Sequence, residues 1–177
     1  TASLLKNMHA DFIGLQEVDN KVRRSDSVDQ TQTLGQALGM HSAFGSFMDY
    51  QGGQYGLAIL SKYPITEVQE VRLPTGNEPR VALACQVRLP DQNEIMVVNL
   101  HFDWVKDDTF RYRQAKELAK YLDTLTLPYV LMGDFNDQPQ SRTLDLFLAR
   151  CVEADKPEQD RFTFPATRPA QIGRAHV

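Results

Sequence analysis

The amino-acid sequence predicts a single layered α/β domain. Apolar strand-like segments alternate with segments at helical spacing, and several of the strands end at a polar side chain. The chain has 177 residues, which is enough for one sizeable hydrophobic core. Because no repeat, low-complexity tract or linker divides the chain, we expect one domain over residues 1–172.

Composition and charge narrow the functional classes. The chain is 42% hydrophobic and 24% charged, as in an ordinary globular protein, and no apolar run is long enough to span a membrane. With a net charge of -4 and no block of Lys and Arg, we expect only weak electrostatic binding to nucleic acid unless metal ions assist.

Cys85 and Cys151 lie among apolar residues without a CxxC spacing, which favours buried free thiols over a disulfide or a zinc site. We expect a monomer, and the compartment stays open because the chain begins at Thr1.

In the first half of the chain, hydrophobic patterning predicts short helices and strands. Residues 1–9 are the end of a helix, and a second short helix at 33–38 is terminated by Gly39. The polar stretch 20–32 is expected to be a loop. The predicted strands cover residues 12–16, 41–48, 56–61 and 65–73.

The second half begins with a predicted antiparallel hairpin, residues 81–89 and 94–100, around a Pro-Asp-Gln-Asn turn. Residues 107–125 form the clearest helix, because apolar side chains recur at helical spacing along one face. A buried strand at 129–132 and a helix at 141–150 follow.

The stretch that follows the strand at 129–132 carries a compact set of polar groups. In an extended segment, residues two apart point the same way, so Asp134 and Asn136 can face one site while Phe135 faces the other side. A carboxylate beside an amide suits the positioning of a water and a phosphate next to a hard metal ion. The alternative is an Asx turn that closes the strand, since Gly, Asp and Asn are also turn formers. These residues alone leave both interpretations open.

Two other strands end in the same way, at Glu17 and at His101. Taken singly, each is more typical of a solvated carboxylate or a structural histidine. In layered α/β folds, however, polar residues at strand ends converge on one rim where a site can form. Carboxylate and amide oxygens without a thiolate point to Mg²⁺ or Mn²⁺ rather than structural zinc.

Four segments of the chain carry a recognisable pattern. They are Leu15-Gln16-Glu17-Val18, Tyr55 to Pro64, Asn99-Leu100-His101-Phe102-Asp103 and Gly133-Asp134-Phe135-Asn136. The pairing of Gln-Glu-Val with Gly-Asp-Phe-Asn at this separation is specific, whereas either piece alone would be weak. Together, and in this order, the segments resemble the endonuclease/exonuclease/phosphatase superfamily over roughly residues 10–170.

The resemblance implies a four-layer α/β/β/α sandwich, in which two mostly antiparallel sheets pack face to face with helices outside. It also implies a metal-dependent phosphoester hydrolase (a phosphodiesterase, nuclease or phosphatase) that uses in-line attack by an activated water. The substrate class stays open among nucleic acid, lipid and small-molecule phosphate esters. For Trp104, packing in the core or at the rim is favoured over contact with a substrate, and Phe162 and Phe164 are expected in the core.

The family's functional residues map onto specific positions. Glu17 matches the metal-binding glutamate, and Asp134 matches the aspartate that orients or activates the attacking water. Asn136 matches the asparagine that holds a phosphate oxygen, and His101 a histidine that contacts the scissile phosphate. Glu78, together with Arg80, resembles a charged segment that supports this histidine in some members.

The ends of the chain depart from the family pattern. The usual first strand with its active-site Asn would precede Thr1, and the final Ser-Asp-His is missing, since Asp160 is the last acidic residue and His176 follows Ala175. We therefore expect a domain that is incomplete at both termini, a non-native tail at 173–177, and weak or no activity from this chain alone. The alternative is a non-catalytic binding module that keeps the fold. Intact Glu17, His101, Asp134 and Asn136 argue against it.

Overall fold

The computed structural model describes residues 1–155, and its first sheet has three strands. They are β1 (Phe12–Asn20), β2 (His41–Tyr50) and β3 (Gly53–Ser61). β3 lies in the middle and pairs antiparallel with both neighbours. The tight turn between β2 and β3 therefore places consecutive strands side by side.

The second sheet has four strands in the order β4-β5-β6-β7. They are β4 (Ile65–Leu73), β5 (Arg80–Arg88), β6 (Glu94–His101) and β7 (Tyr129–Asp134). The first three are antiparallel, whereas β7 runs parallel to β6. A parallel neighbour requires a crossover, and the helix α3 (Thr109–Leu122) provides it. This crossover brings the ends of β6 and β7 to the same edge.

Helices cover the outer faces of the two sheets. α1 (Ala2–Asn7) and α2 (Gln30–Leu38) lie with the first sheet, and a single 3-10 turn spans Arg23–Ser25. α3 and α4 (Arg142–Leu148) pack together against the second sheet. The predicted four-layer sandwich of two mostly antiparallel sheets is confirmed. None of the helices in the described part of the chain is both long and apolar enough to cross a membrane.

The strands of the second sheet are apolar on both faces because each face is covered. On β5, Val81, Leu83 and Cys85 point toward the first sheet, and Ala82 and Ala84 point toward α3. This is the pattern expected when alternating residues enter different cores. Burial raises the pKa of the Cys85 thiol to about 12.

The predicted elements are present, with three differences in detail. The stretch 20–32 is not all loop, since β1 runs to Asn20 and α2 begins at Gln30 with the Asp29 side chain as its N-cap. Cys85 is a buried free thiol as predicted, but Cys151 is only partly buried. Trp104 is 52% exposed, which excludes a core position and leaves both a position at the rim and contact with a substrate open. The predictions for Phe162, Phe164 and the tail at 173–177 lie outside the described residues.

Candidate active site

Asp134 and His101 are neighbours because β6 and β7 are parallel and in register. The pairing matches Leu100 with Gly133 and His101 with Asp134. His101 is buried, and its Nε2 lies 4.0 Å from Oδ2 of Asp134. The two predicted site residues from separate motifs therefore meet at one sheet edge.

Gly133 makes this close approach possible. Its φ of 136° lies in a region that other residues rarely adopt, and a Cβ at this position would fall on the backbone of Leu100. A larger residue would push β7 away from β6. Gly133 therefore allows β7 to lie close enough to β6 for Asp134 to approach His101.

The segment after β7 forms an Asx turn, which is one of the two interpretations of the motif. The Asn136 backbone N–H donates to Oδ1 of Asp134 at 2.8 Å, which is an Asx turn. Its side-chain Nδ2 donates to the Phe102 carbonyl oxygen at 2.9 Å, which uses one of the two N–H groups of the amide. The extended conformation assumed from the sequence was wrong here, because φ of Asn136 is 50°. Phe135 lies in the hydrophobic core.

Glu17 lies inside β1 rather than at its end, which corrects the sequence interpretation. The pairing with β3 shifts between Leu15 and Val18, so Gln16 and Glu17 form a β-bulge, and φ of Glu17 is 58°. The Glu17 side chain is exposed and makes no hydrogen bond or ion pair with any of residues 1–155. A bulge of this kind can re-aim a side chain, and here it leaves a carboxylate available to a ligand.

Contacts between the two sheets bring Glu17 to the same end of the sandwich as His101. Burial and the nearby carboxylate of Glu17 raise the pKa of Tyr55 above its usual value. Tyr55 packs edge-on against Phe47, and Phe47 in turn lies under the Arg80 guanidinium, 5.0 Å from its Cζ. Arg80 begins β5 at the end where β6 finishes with His101.

Glu78 lies in the loop before β5 and pairs with Arg80. Glu78 Oε2 is 3.0 Å from Nη2 of Arg80, whose side chain is only 2% exposed. The loop is anchored by buried Asp103, whose Oδ2 accepts from the Asn77 backbone N–H at 2.6 Å. Support of His101 by Glu78 stays a prediction.

Sequence reasoning missed several residues that hold the rim in place. Buried Arg111 on α3 donates to Asp137 and to the carbonyl oxygens of Asp103 and Val105, so it ties the segment after β6 to the turn after β7. The signal in the sequence was the position of Arg111 in the first turn of α3, eight residues after Asp103.

A second missed group lies beside Glu17. Asp19 is buried and accepts two hydrogen bonds from Arg24, at 2.8 and 2.9 Å. The Arg24 guanidinium also lies 4.8 Å from the ring centroids of both Tyr50 and Tyr55. The hydrogen bonds from Arg24 hold the pKa of Asp19 below its usual value. This group secures the C-terminal side of the bulge.

We predict that Arg24→Met lowers the free energy of unfolding by about 1–3 kcal/mol at pH 7, because Asp19 is left buried without its partner. The folded-state pKa of Asp19 is lowered, so its contribution is present above the ordinary carboxyl range and is lost as pH falls through the folded value. The difference from wild type should therefore shrink below about pH 4. Urea unfolding at several pH values measures it.

The matched control for this prediction is Arg23→Met. Arg23 carries the same charge, but its Nε donates to the Gln51 carbonyl oxygen rather than to a carboxylate. We expect little change at any pH. Equal destabilisation by the two variants would contradict the assigned role of Arg24.

Comparison with solved structures supports the fold. A functionally unknown conserved protein from Enterococcus faecalis V583 matches with a TM-score of 0.71 and 21% identity, over 84% of this chain and 61% of that one. The human Nocturnin catalytic domain with bound sulfate anion matches with a TM-score of 0.69 and 20% identity, over 84% and 59%. ANGEL2, a 2',3'-cyclic phosphatase, matches with a TM-score of 0.67 and 21% identity, over 82% of this chain and 45% of that one. At these identities the likeness shows the fold alone.

Sequence comparison identifies the family. Protein cwh43 of Schizosaccharomyces pombe (strain 972 / ATCC 24843) is 30% identical over 130 residues, which is 73% of this chain but only 13% of that protein. The family model for the Endonuclease/Exonuclease/phosphatase family matches residues 1–171. This chain therefore belongs to the Endonuclease/Exonuclease/phosphatase family.

Proposed function

We propose that this chain carries the site of a divalent-metal-dependent phosphoester hydrolase. The observation that supports it best is the meeting of His101 and Asp134 across the β6–β7 pair, 4.0 Å apart. Glu17 offers an exposed carboxylate at the same end of the sandwich. The reaction is attack of water on phosphorus, with cleavage of one phosphorus–oxygen ester bond and release of the alcohol, which takes up a proton equivalent to the one lost by the water.

Asp134 is the group that receives the proton of the attacking water. Its Oδ1 is held by the Asn136 backbone N–H, so the carboxylate is fixed by the turn, while Oδ2 faces His101. A fixed acceptor lowers the barrier because it needs no reorientation during the reaction.

Asn136 and His101 are donors to the phosphate. The second N–H of the Asn136 amide can donate to a phosphate oxygen while the first stays bonded to Phe102. An imidazole N–H of His101 can contact the scissile group from the other strand. Such donors stabilise the negative charge that builds on the phosphate oxygens in the transition state.

The donor set fits Mg²⁺ or Mn²⁺ held through Glu17. Within residues 1–155, no three His, Cys, Asp or Glu side chains come together as a ready metal cage. Mg²⁺ commonly binds through one or two carboxylates together with waters and substrate phosphates, and an exposed Glu17 meets that requirement. When bound, the ion would neutralise phosphate charge. Asp134, Asn136 and His101 would act on the water and the phosphate.

The substrate could be a nucleic acid, a lipid phosphodiester or a small phosphate ester. ANGEL2 is described as a 2',3'-cyclic phosphatase, and this similarity adds cyclic phosphates to the compounds worth testing. The chain covers 61% or less of each of the three compared structures and 13% of the S. pombe protein, so turnover is best measured on the full-length protein.

We predict that Glu17→Gln weakens Mn²⁺ binding about tenfold or more, because the anionic oxygen that the ion requires becomes a neutral amide. Isothermal titration of Mn²⁺ into this chain measures the affinity, and a circular-dichroism melt confirms that the variant folds. Glu67→Gln on the exposed face of β4 is the matched control and should bind like wild type.

Saturable binding that is lost only in Glu17→Gln supports the proposed metal site. Equal affinity of Glu17→Gln and wild type would overturn the assignment of Glu17. Metal binding together with no hydrolysis of any phosphoester by the full-length protein would favour the alternative of a binding module.

A further inference from the structure

We infer that Asn99 and Gln16 are positioning residues that set the conformation of Glu17. This inference rests on the proposed function for its catalytic meaning, but the conformational effect can be measured separately. The two side chains join the sheets at the point where β1 departs from regular pairing.

Asn99 is an unusual residue for its place in the sequence. It is 0% exposed and lies within the apolar strand Val97-Val98-Asn99-Leu100. A buried amide costs free energy unless its groups are bonded, and an apolar residue would avoid that cost. Its presence here therefore requires a specific set of partners.

Among residues 1–155, the partners of the Asn99 side chain all lie in the first sheet. Nδ2 donates to the carbonyl oxygen of Leu15 at 2.9 Å and to that of Ala58 at 3.0 Å. Oδ1 accepts from Nε2 of Gln16 at 2.8 Å. The amide thus uses both donors and its acceptor on residues of β1 and β3.

These partners lie at the start of the bulge. Leu15 and Ala58 are the last regular cross-strand pair, and beyond them Gln16 and Glu17 oppose only Leu57 before Val18 pairs with Gly56. The ladder of backbone hydrogen bonds is interrupted at such a point. At this point Asn99 donates hydrogen bonds to both strands, and its side-chain oxygen binds Gln16, the residue immediately before Glu17.

The sheets approach closely at this place. A Cβ on Gly14 would lie 2.9 Å from Oδ1 of Asn99 and 3.0 Å from the sulfur of Met132. His101 lies two residues beyond Asn99 on β6, and Asp134 two residues beyond Met132 on β7. Residues two apart share a face of a strand. The close approach of β1 to Asn99 and Met132 therefore holds β1 against the face that carries both site residues.

The hydrogen bonds of Asn99 and Gln16 matter for Glu17 because the backbone of Glu17 is strained. A φ of 58° for a residue other than glycine costs about 1 kcal/mol or more and persists only where the surroundings enforce it. Without the Gln16–Asn99 bond, the bulge can relax toward regular pairing. The Glu17 carboxylate would then leave its position relative to His101 and Asp134.

The test is Gln16→Met, which keeps the length of the side chain and removes its amide. Gln16 is half-buried, so the variant should fold. The first readout is the φ of Glu17, from its HN–Hα coupling constant and Cα chemical shift by NMR. The second is Mn²⁺ affinity by titration, for which we expect a 10- to 100-fold loss, as is typical when a residue that supports a metal ligand is removed.

Gln86→Met is the matched control. Gln86 also donates a side-chain hydrogen bond, to Oε2 of Glu94 at 2.7 Å, but at the opposite end of the β5–β6 hairpin. We expect unchanged φ of Glu17 and unchanged Mn²⁺ affinity. The control removes the same chemical group, so any general effect of losing a glutamine amide appears in both variants.

The outcomes separate this inference from the proposed function. Altered φ of Glu17 with weaker Mn²⁺ binding in Gln16→Met supports it. Unchanged φ of Glu17 overturns the inference, whether or not the Mn²⁺ affinity changes. Altered φ in a protein whose wild type binds no Mn²⁺ would support the positioning role and overturn the proposed metal site.

Discussion

Asp134→Asn should lower the rate of phosphoester hydrolysis by about 10³-fold while leaving the fold intact. The amide oxygen of the new side chain can still accept the Asn136 backbone N–H, so the Asx turn at the end of β7 is kept. What is lost is the negative charge beside His101 and the ability to take a proton. General-base contributions are typically 10² to 10⁴ in rate.

The rate is best measured with an activated phosphodiester, bis(p-nitrophenyl) phosphate, and the full-length protein in the presence of Mg²⁺. Asp145→Asn, an exposed carboxylate in the first turn of α4, is the matched control and should retain wild-type turnover. A loss of less than tenfold in Asp134→Asn would show that another group accepts the proton. Loss in both variants would point to an effect on folding.

Phe135→Ala should reduce the free energy of unfolding by about 3–5 kcal/mol, the usual cost of a large cavity in a core. The Phe135 ring is fully buried beneath the turn that carries Asp134 and Asn136. It packs edge-on against Phe102 at 5.8 Å and against Phe147 at 5.4 Å between ring centroids. Its removal therefore takes away one of three rings that all contact one another between the second sheet and α4.

Urea unfolding followed by circular dichroism measures this loss as a shift in the midpoint at constant m-value. Phe135→Leu keeps most of the volume and should cost less than about 1.5 kcal/mol. Phe44→Ala removes a half-buried ring from β2 and is the control for loss of a less buried aromatic. A change below 1 kcal/mol in Phe135→Ala would mean that the core refills the cavity, contrary to the packing described.

Local patterning predicted the elements well because helices and strands bury faces with fixed periods. The helical spacing of Ala115, Leu118 and Leu122 marked α3, and all three side chains are buried. These patterns depend on neighbours within a few residues. Bounds shifted at the ends, as at β1, because strand pairing with β3 extends the strand into polar sequence.

The candidate site was predicted less completely. Asp134 and His101 could be named from their positions after apolar strands, but their proximity depends on the parallel register of β6 and β7. The conformation of Asn136 depends on its bond to the Phe102 carbonyl oxygen, 34 residues away in the sequence. The sequence of one β-strand considered alone could not show either contact.

By itself, the sequence determined the α/β class, the order of the elements and the chemical identity of the candidate residues. These follow from side-chain periodicity and from motifs whose members are close in the chain. The tertiary structure alone decided that Glu17 lies in a bulge, that Asn99 clamps that bulge from the opposite sheet, and that Arg24 neutralises buried Asp19. Each of these depends on the register and distance between packed elements, and side-chain pattern does not encode either one.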